Sequence, residues 1–177
     1  VRGSLDGRAT TDQDRGALAS AGLTARPMHS SEGDELLAFI DREFALDWVH
    51  DQAWAMHHGM APHDIVLLVP ADAPGPPVAS EAMAGFATLH QRGNGPLFGP
   101  RFWEDLLEPS SGGLGPIGIV VPLRGQGLGR AFLAASLDML HARGVRDCVI
   151  DWTTLLDFYG AFGFRPWKTY VEGELRL

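Results

Sequence analysis

The chain has almost no cysteine. Cys148 is the only one among 177 residues, which excludes an intramolecular disulfide framework and suits a reducing compartment such as the cytoplasm. Long hydrophobic runs are missing as well. No stretch approaches the roughly 20 apolar residues that span a bilayer, and the first residues hold no hydrophobic signal core. These absences predict a cytoplasmic protein with no membrane partner. Positive charge is in deficit, with 14 Lys and Arg against 22 Asp and Glu and a formal net charge of −8. That balance disfavours non-specific nucleic-acid binding and leans toward cationic small molecules. The His57-His58 pair and His63 have no cysteine near them at ligand spacing, so no metal site is expected. No internal repeat is visible. What is present is the composition of an ordinary globule, 45% apolar and 20% charged, at a length that makes one domain with a sizeable core.

Residues 1–20 are rich in Gly, Asp, Arg and Thr, and the expectation is a flexible tail or linker over residues 1–22, followed by one domain over 23–177. The chain opens on Val rather than Met, which suits part of a longer protein. Residues 23–28 read as a short first strand. Ser30 or Ser31 caps a helix that runs through Phe44, with Leu36, Leu37, Phe39, Ile40 and Phe44 on its apolar face. A second helix spans 47–59 and carries Trp48 and Trp54. Residues 65–69 are uniformly apolar and predict a buried strand, while four prolines and a glycine make 70–80 an exposed connector. Residues 83–91 read as the antiparallel partner of 65–69, and 93–115 as irregular with a short helix at 101–107. Then comes a β-branched run, 117–121, followed by a glycine-rich turn and a helix over 128–143 that is apolar on much of its circumference. A strand at 147–152, parallel to 117–121, a short helix at 155–162 and a final strand or hairpin arm at 165–177 complete the expected α/β (α+β) layout. It amounts to a mixed sheet of about six to seven strands flanked by about four helices. Cys148 reads as a small apolar strand residue.

The stretch Ile117-Gly118-Ile119-Val120-Val121-Pro122-Leu123-Arg124-Gly125-Gln126-Gly127-Leu128-Gly129-Arg130 is the strongest chemical signal. Strand, glycine turn and helix N-terminus aim unpaired amides and the positive end of the helix dipole at one spot, which is an anion site. Three nucleotide sites share this layout. A P-loop requires a Lys-Ser/Thr pair that is absent here. A dinucleotide site requires a third glycine where Arg130 stands. Asp151 lies where its ribose-binding acid would fall, but only 26 residues follow Asp151, too few for the remaining strands. A third reading rests on a family resemblance.

Arg124-x-x-Gly127-x-Gly129 resembles the Arg/Gln-x-x-Gly-x-Gly/Ala signature of the GCN5-related N-acetyltransferase family. Phe158-Tyr159-Gly160-Ala161-Phe162-Gly163-Phe164 resembles its Tyr-x-x-x-Gly-Phe segment about 35 residues later. The resemblance implies acetyl-CoA as acyl donor, transfer to a small-molecule amine by direct attack in a ternary complex, and a monomer or homodimer. It implies that Gly125, Gln126, Gly127, Leu128 and Gly129 cradle the pyrophosphate, with Arg124 and Arg130 adding charge. Ile117, Gly118 and Ile119 would pair with the pantetheine amides, and an amide near Ile119 or Val120 would hold the oxyanion. Tyr159 would protonate the departing thiolate. For the base or amine anchor the candidates are Asp151, then His90, then Glu104. Trp152 stands where many members carry an asparagine, and Leu155 where alanine is frequent. Trp152 is expected to face the cofactor turn, with stacking on a sugar as its alternative role. Stretches such as Leu-Gly-Pro-Ile-Gly-Ile resemble a bacterial subgroup, built as two tandem domains, some of whose members acetylate glucosamine or glucosaminides. An aminosugar acceptor is therefore slightly favoured. The alternative is a catalytically degenerate acyl-CoA-binding domain.

Overall fold

Ile65, Leu67 and Val69 face one way and Val66 and Leu68 the other, yet all five are buried. A strand without an exposed face must lie inside a sheet covered on both sides. In the computed structural model, which describes residues 1–7, 11–73, 75–95 and 99–169, it does so as β3 (Ile65–Pro70). The other strands are β1 (Arg2–Ser4), β2 (Leu23–Pro27), β4 (Gly85–Gln91), β5 (Ser111–Ile119) and β6 (Asp147–Val149), and the sheet order is β1-β6-β5-β4-β3-β2. All neighbours pair antiparallel except β5 and β6, which are parallel. The helices are α1 (Asp12–Ser20), α2 (Gly33–Glu43), α3 (Leu46–His57), α4 (Leu128–Ala142) and α5 (Leu156–Gly160).

Alternation along the strands divides the core in two. Leu36, Phe39 and Ile40 of α2 and Ala55 of α3 pack on Ile65, Leu67, Val69 and Phe86. On the other face Phe132, Leu133, Leu137 and Leu140 of α4, with Leu18 of α1, cover Val66, Leu68, Ala87 and Leu89. The mixed sheet flanked by helices is the α/β architecture expected, with six strands among the described residues.

Several expectations are corrected. Residues 1–20 are not a tail. They hold β1, which pairs with β6, and α1, whose Thr11–Asp14 capping box closes its first turn. The apolar residues there are few, but Leu5 and Leu18 are both buried. β5 starts at Ser111, inside the stretch read as irregular. Its glycines hide a strand signature, and at Gly112 the neighbouring backbone leaves no room for a side chain: a Cβ there would lie 2.5 Å from the His90 carbonyl. Residues 121–123 leave the strand as a single 3-10 turn, and the 101–107 helix is a 3-10 segment, Gly99–Leu106. β6 ends at Val149, so Asp151 and Trp152 lie beyond the sheet. Of the final strand, Arg165 bridges to Arg2, and residues 170–177 lie outside the described residues.

Candidate active site

β5 and β6 begin together and part. Residues 111–113 pair with 147–149, whereas 117–119 pair only with 85–87 of β4. The divergence begins where the β4–β5 register shifts between Ala87 and Leu89, opposite Gly115 with its φ of +139°. Along the end of β5 that has parted from β6 opens a cleft of about 680 Å³. Ile117, Gly118 and Ile119 form one wall, and Phe44 and Trp48 another.

The glycine turn also lines the cleft. Gly125 (φ +75°) and Gly127 (φ +80°) take left-handed conformations that a side chain would strain. Gly127 is the N-cap of α4 and no side chain caps that helix, so its first amides are available to an anion. Arg124 and Arg130 flank the turn and line the cleft. Each uses its Nε on the protein: Arg124 donates to the Ile119 carbonyl at 3.1 Å, Arg130 to Asp14 Oδ1 at 3.1 Å. Gln126 turns back, donating from Nε2 to the Pro122 carbonyl at 2.8 Å, and the Leu128 side chain is in the core. Gly129 lines the cleft, and a Cβ there would meet Ile119 only at 3.6 Å.

Tyr159 of α5 belongs to the same cleft. It lines the cleft yet is only 5% exposed. Burial, reinforced by the neighbouring Cys148 thiol, pushes its phenol up to about 12. Phe158 and Phe164 meet its ring edge-on at 5.0 and 6.2 Å.

Asp151 and Trp152 do not join this cleft. They line a second cavity of about 330 Å³ with Thr153, Leu156, Trp167 and Lys168. The segment between the two cavities is narrow, for Leu155 lines the first and Leu156 the second. Asp151 accepts the Trp103 indole N–H at 3.1 Å and the Trp152 amide at 3.0 Å. Trp152 holds a φ of +50°, a strained value for a non-glycine residue, with its side chain 70% exposed. His90 is buried, its Nε2 on the Gly115 carbonyl at 2.8 Å. Glu104 bonds the Gly93 amide at 3.4 Å. Neither lines the cleft. Cys148 is fully buried.

Sequence reasoning missed Phe44, Trp48 and Phe132 as cleft residues. One signal for Phe44 was available. Gly118 interrupts a β-branched strand, and a glycine there marks a close approach; the approaching group is the Phe44 ring. Asp14 also had a signal, the Thr11-x-x-Asp14 capping spacing.

No protein-family model and no curated protein matches the chain; likeness is found among solved structures. One is a fungal multi-domain GH3 β-N-acetylglucosaminidase, described as containing a unique GCN5-related glucosamine N-acetyltransferase region. The match has a TM-score of 0.81 and 25% identity, and covers 94% of this chain and 19% of that one. A GCN5-related N-acetyltransferase from Sphaerobacter thermophilus matches with a TM-score of 0.52 and 18% identity over 80% of this chain and 41% of that one. A GNAT family acetyltransferase from Brucella melitensis, solved with acetyl-CoA, matches with a TM-score of 0.51 and 18% identity over 81% and 83% of the two chains. The chain thus spans well under half the length of the first two.

Proposed function

We propose that this chain, which has the fold of the GCN5-related N-acetyltransferases, moves an acetyl group from acetyl-CoA to a primary amine of a small molecule. The observation that carries the reading is one cleft lined both by an uncapped glycine turn and by Tyr159. The donor's pyrophosphate sits on the amides of the turn at Gly125, Gln126, Gly127, Leu128 and Gly129, between Arg124 and Arg130. Its pantetheine amides pair with the free edge of β5 at Ile117, Gly118 and Ile119.

The backbone narrows the choice of oxyanion donor. The Val120 amide is already bound to the Ala84 carbonyl at 2.9 Å, so it is taken by β4. Amides alternate sides along a strand, which turns the Ile119 N–H toward the cleft and makes it the donor. Tyr159 remains a neutral phenol at physiological pH because burial opposes its ionisation. The same dry surroundings raise the basicity of a departing thiolate, so acid and leaving group stay matched.

On the acceptor side, Asp151 anchors or deprotonates the amine, which enters through the second cavity, and the exposed Trp152 indole stacks on its body. An aminosugar fits this pairing of acid and indole. It agrees with the glucosamine N-acetyltransferase region named for the fungal protein. A second reading, acyl-CoA binding without transfer, is favoured by one feature: among the described residues no carboxylate or imidazole lines the cleft itself.

The test is acetyl-CoA turnover with detection of free thiol across glucosamine, polyamines and amino acids. Tight CoA binding with no transfer to any amine overturns the enzymatic reading in favour of the second. Tyr159→Phe is expected to lower kcat by about 10²-fold, the scale of a lost general acid, with the KM for acetyl-CoA nearly unchanged. An unchanged kcat removes Tyr159 as the acid.

A further inference from the structure

Arg130 is held in place by a helix that contributes nothing else to the site. Its Nε donates to Asp14 Oδ1, and its guanidinium carbon lies 4.6 Å from the centre of the Phe162 ring. Neither terminal nitrogen hydrogen-bonds a described residue. Asp14 is itself fixed. Its Oδ2 accepts the Thr11 hydroxyl at 2.7 Å and the Thr11 amide at 3.3 Å, and its own amide donates back to Thr11 Oγ1 at 3.1 Å. It is 6% exposed, and α1 packs along α4. No described residue of α1 lines the cleft.

We propose that Asp14 is a positioning residue for the phosphate-binding fork of Arg130, so that α1 sets donor affinity from outside the cleft. The inference rests on the acyl-CoA reading above. An arginine loses much of its rotamer freedom when it is immobilised. A side chain already fixed at Nε and laid on an aromatic face has given up that freedom before the phosphate arrives. Its two terminal NH₂ groups remain to bind a phosphate in bidentate fashion. Asp14 also acts in the opposite direction, by partly neutralising the guanidinium. That effect is the smaller one: Arg130 is 44% exposed, so charge–charge terms around it are screened, whereas ordering is not. Arg124 follows the same plan with a neutral anchor, the Ile119 carbonyl.

The test is calorimetric titration of CoA into the wild-type chain and the Asp14→Asn, Arg130→Gln, Arg130→Lys and Asp14→Asn/Arg130→Gln variants at several salt concentrations. Asp14→Asn is expected to weaken Kd about fivefold while keeping the salt dependence, since the cation stays. Arg130→Gln weakens Kd about tenfold and flattens the salt dependence. The double variant binds no worse than Arg130→Gln alone, because Asp14 acts only through Arg130. Arg130→Lys leaves α1 intact and keeps the charge but not the anchored fork, so it should weaken Kd about fivefold, as Asp14→Asn does, with the salt dependence kept. Wild type that binds CoA while Asp14→Asn binds it equally or more tightly overturns the inference alone. So does an Arg130→Lys variant of wild-type affinity, even where Asp14→Asn fails to fold. A wild-type chain that binds no CoA overturns the acyl-CoA reading, and this inference with it.

Discussion

Gly118 shows how much one missing methyl group can determine. A Cβ at this position would lie 2.8 Å from Phe44 Cζ and closer still to Cε1. Phe44 is held by three other rings. It is stacked on Trp48, with centroids 5.2 Å apart and planes 17° off parallel, and meets Phe39 and Phe86 edge-on at 5.6 Å each. Gly118→Ala is therefore expected to cost about 1–3 kcal/mol, the range for overpacking a well-filled core. Adding Phe44→Leu should recover part of that loss. Urea midpoints of the two single variants and the double variant test this, and strictly additive losses would show that the two positions do not collide. The same pair marks the limit of what sequence reveals at this scale. Gly125, Gly127 and Tyr159 are legible as cleft residues because a glycine turn and a tyrosine segment are local patterns, readable within a dozen residues. Phe44 and Gly118 are 74 positions apart, and nothing local says that the ring of one fills the vacancy of the other.

At the scale of elements, β2, the turn before α2 and the loop before β4 are fastened by one buried carboxylate. Glu32 is fully buried and takes Arg26 in bidentate form, at 2.6 and 2.8 Å. It also accepts the amides of His29 at 2.8 Å and Val78 at 3.0 Å. Burial alone would raise its carboxyl, but Arg26 and the two amides outweigh burial and hold it at about 2, against an ordinary 4.5. A depressed folded-state pKa contributes stability that is complete above the unfolded value and disappears as pH falls through the folded one. The window here is from about pH 4.5 down to about pH 2, and the lowering corresponds to about 3 kcal/mol. Glu32→Gln should lower the urea midpoint at pH 7 and flatten its pH dependence across that window. A wild-type midpoint that is flat from pH 5 to pH 2 would deny Glu32 this role. Helix and strand identities were mostly legible from apolar spacing, as in α2, α4 and β3. β5 was truncated in the reading because Gly112 answers to the approach of the His90 carbonyl and Gly115 to a φ of +139°, not to strand propensity. Asp151 was read as the end of a strand and sits beyond β6, in a separate cavity, because β6 stops after three residues.

For the whole molecule, the decisive contacts are between the two ends of the chain. β1 forms the outer edge of the sheet against β6, the Leu5 amide donates to the Arg146 carbonyl at 2.7 Å, and Gly3 lies under the Phe164 ring. Leu5 and Leu18 are 1% and 7% exposed, in the same core as Phe132 and Leu137 of α4. None of this is visible in residues 1–20 alone. With so few large apolar residues the segment cannot bury a core of its own, and composition reports only that deficit. Its main partners, β6 and α4, lie more than a hundred positions away. A tail and a structural segment predict opposite outcomes for the same deletion. Removing residues 1–22 would leave a true tail's host with an unchanged melting temperature. Here it strips α1 from α4 and leaves β6 as an open edge, so the shortened chain should aggregate or lose cooperative unfolding. Leu18→Ala makes the same point without a new terminus. Truncating a buried leucine costs about 2–5 kcal/mol, and the loss should appear as a lower urea midpoint at an unchanged m-value. A Leu18→Ala midpoint equal to wild type would mean that α1 does not belong to the folded unit, and the Asp14–Arg130 contact would lose its support.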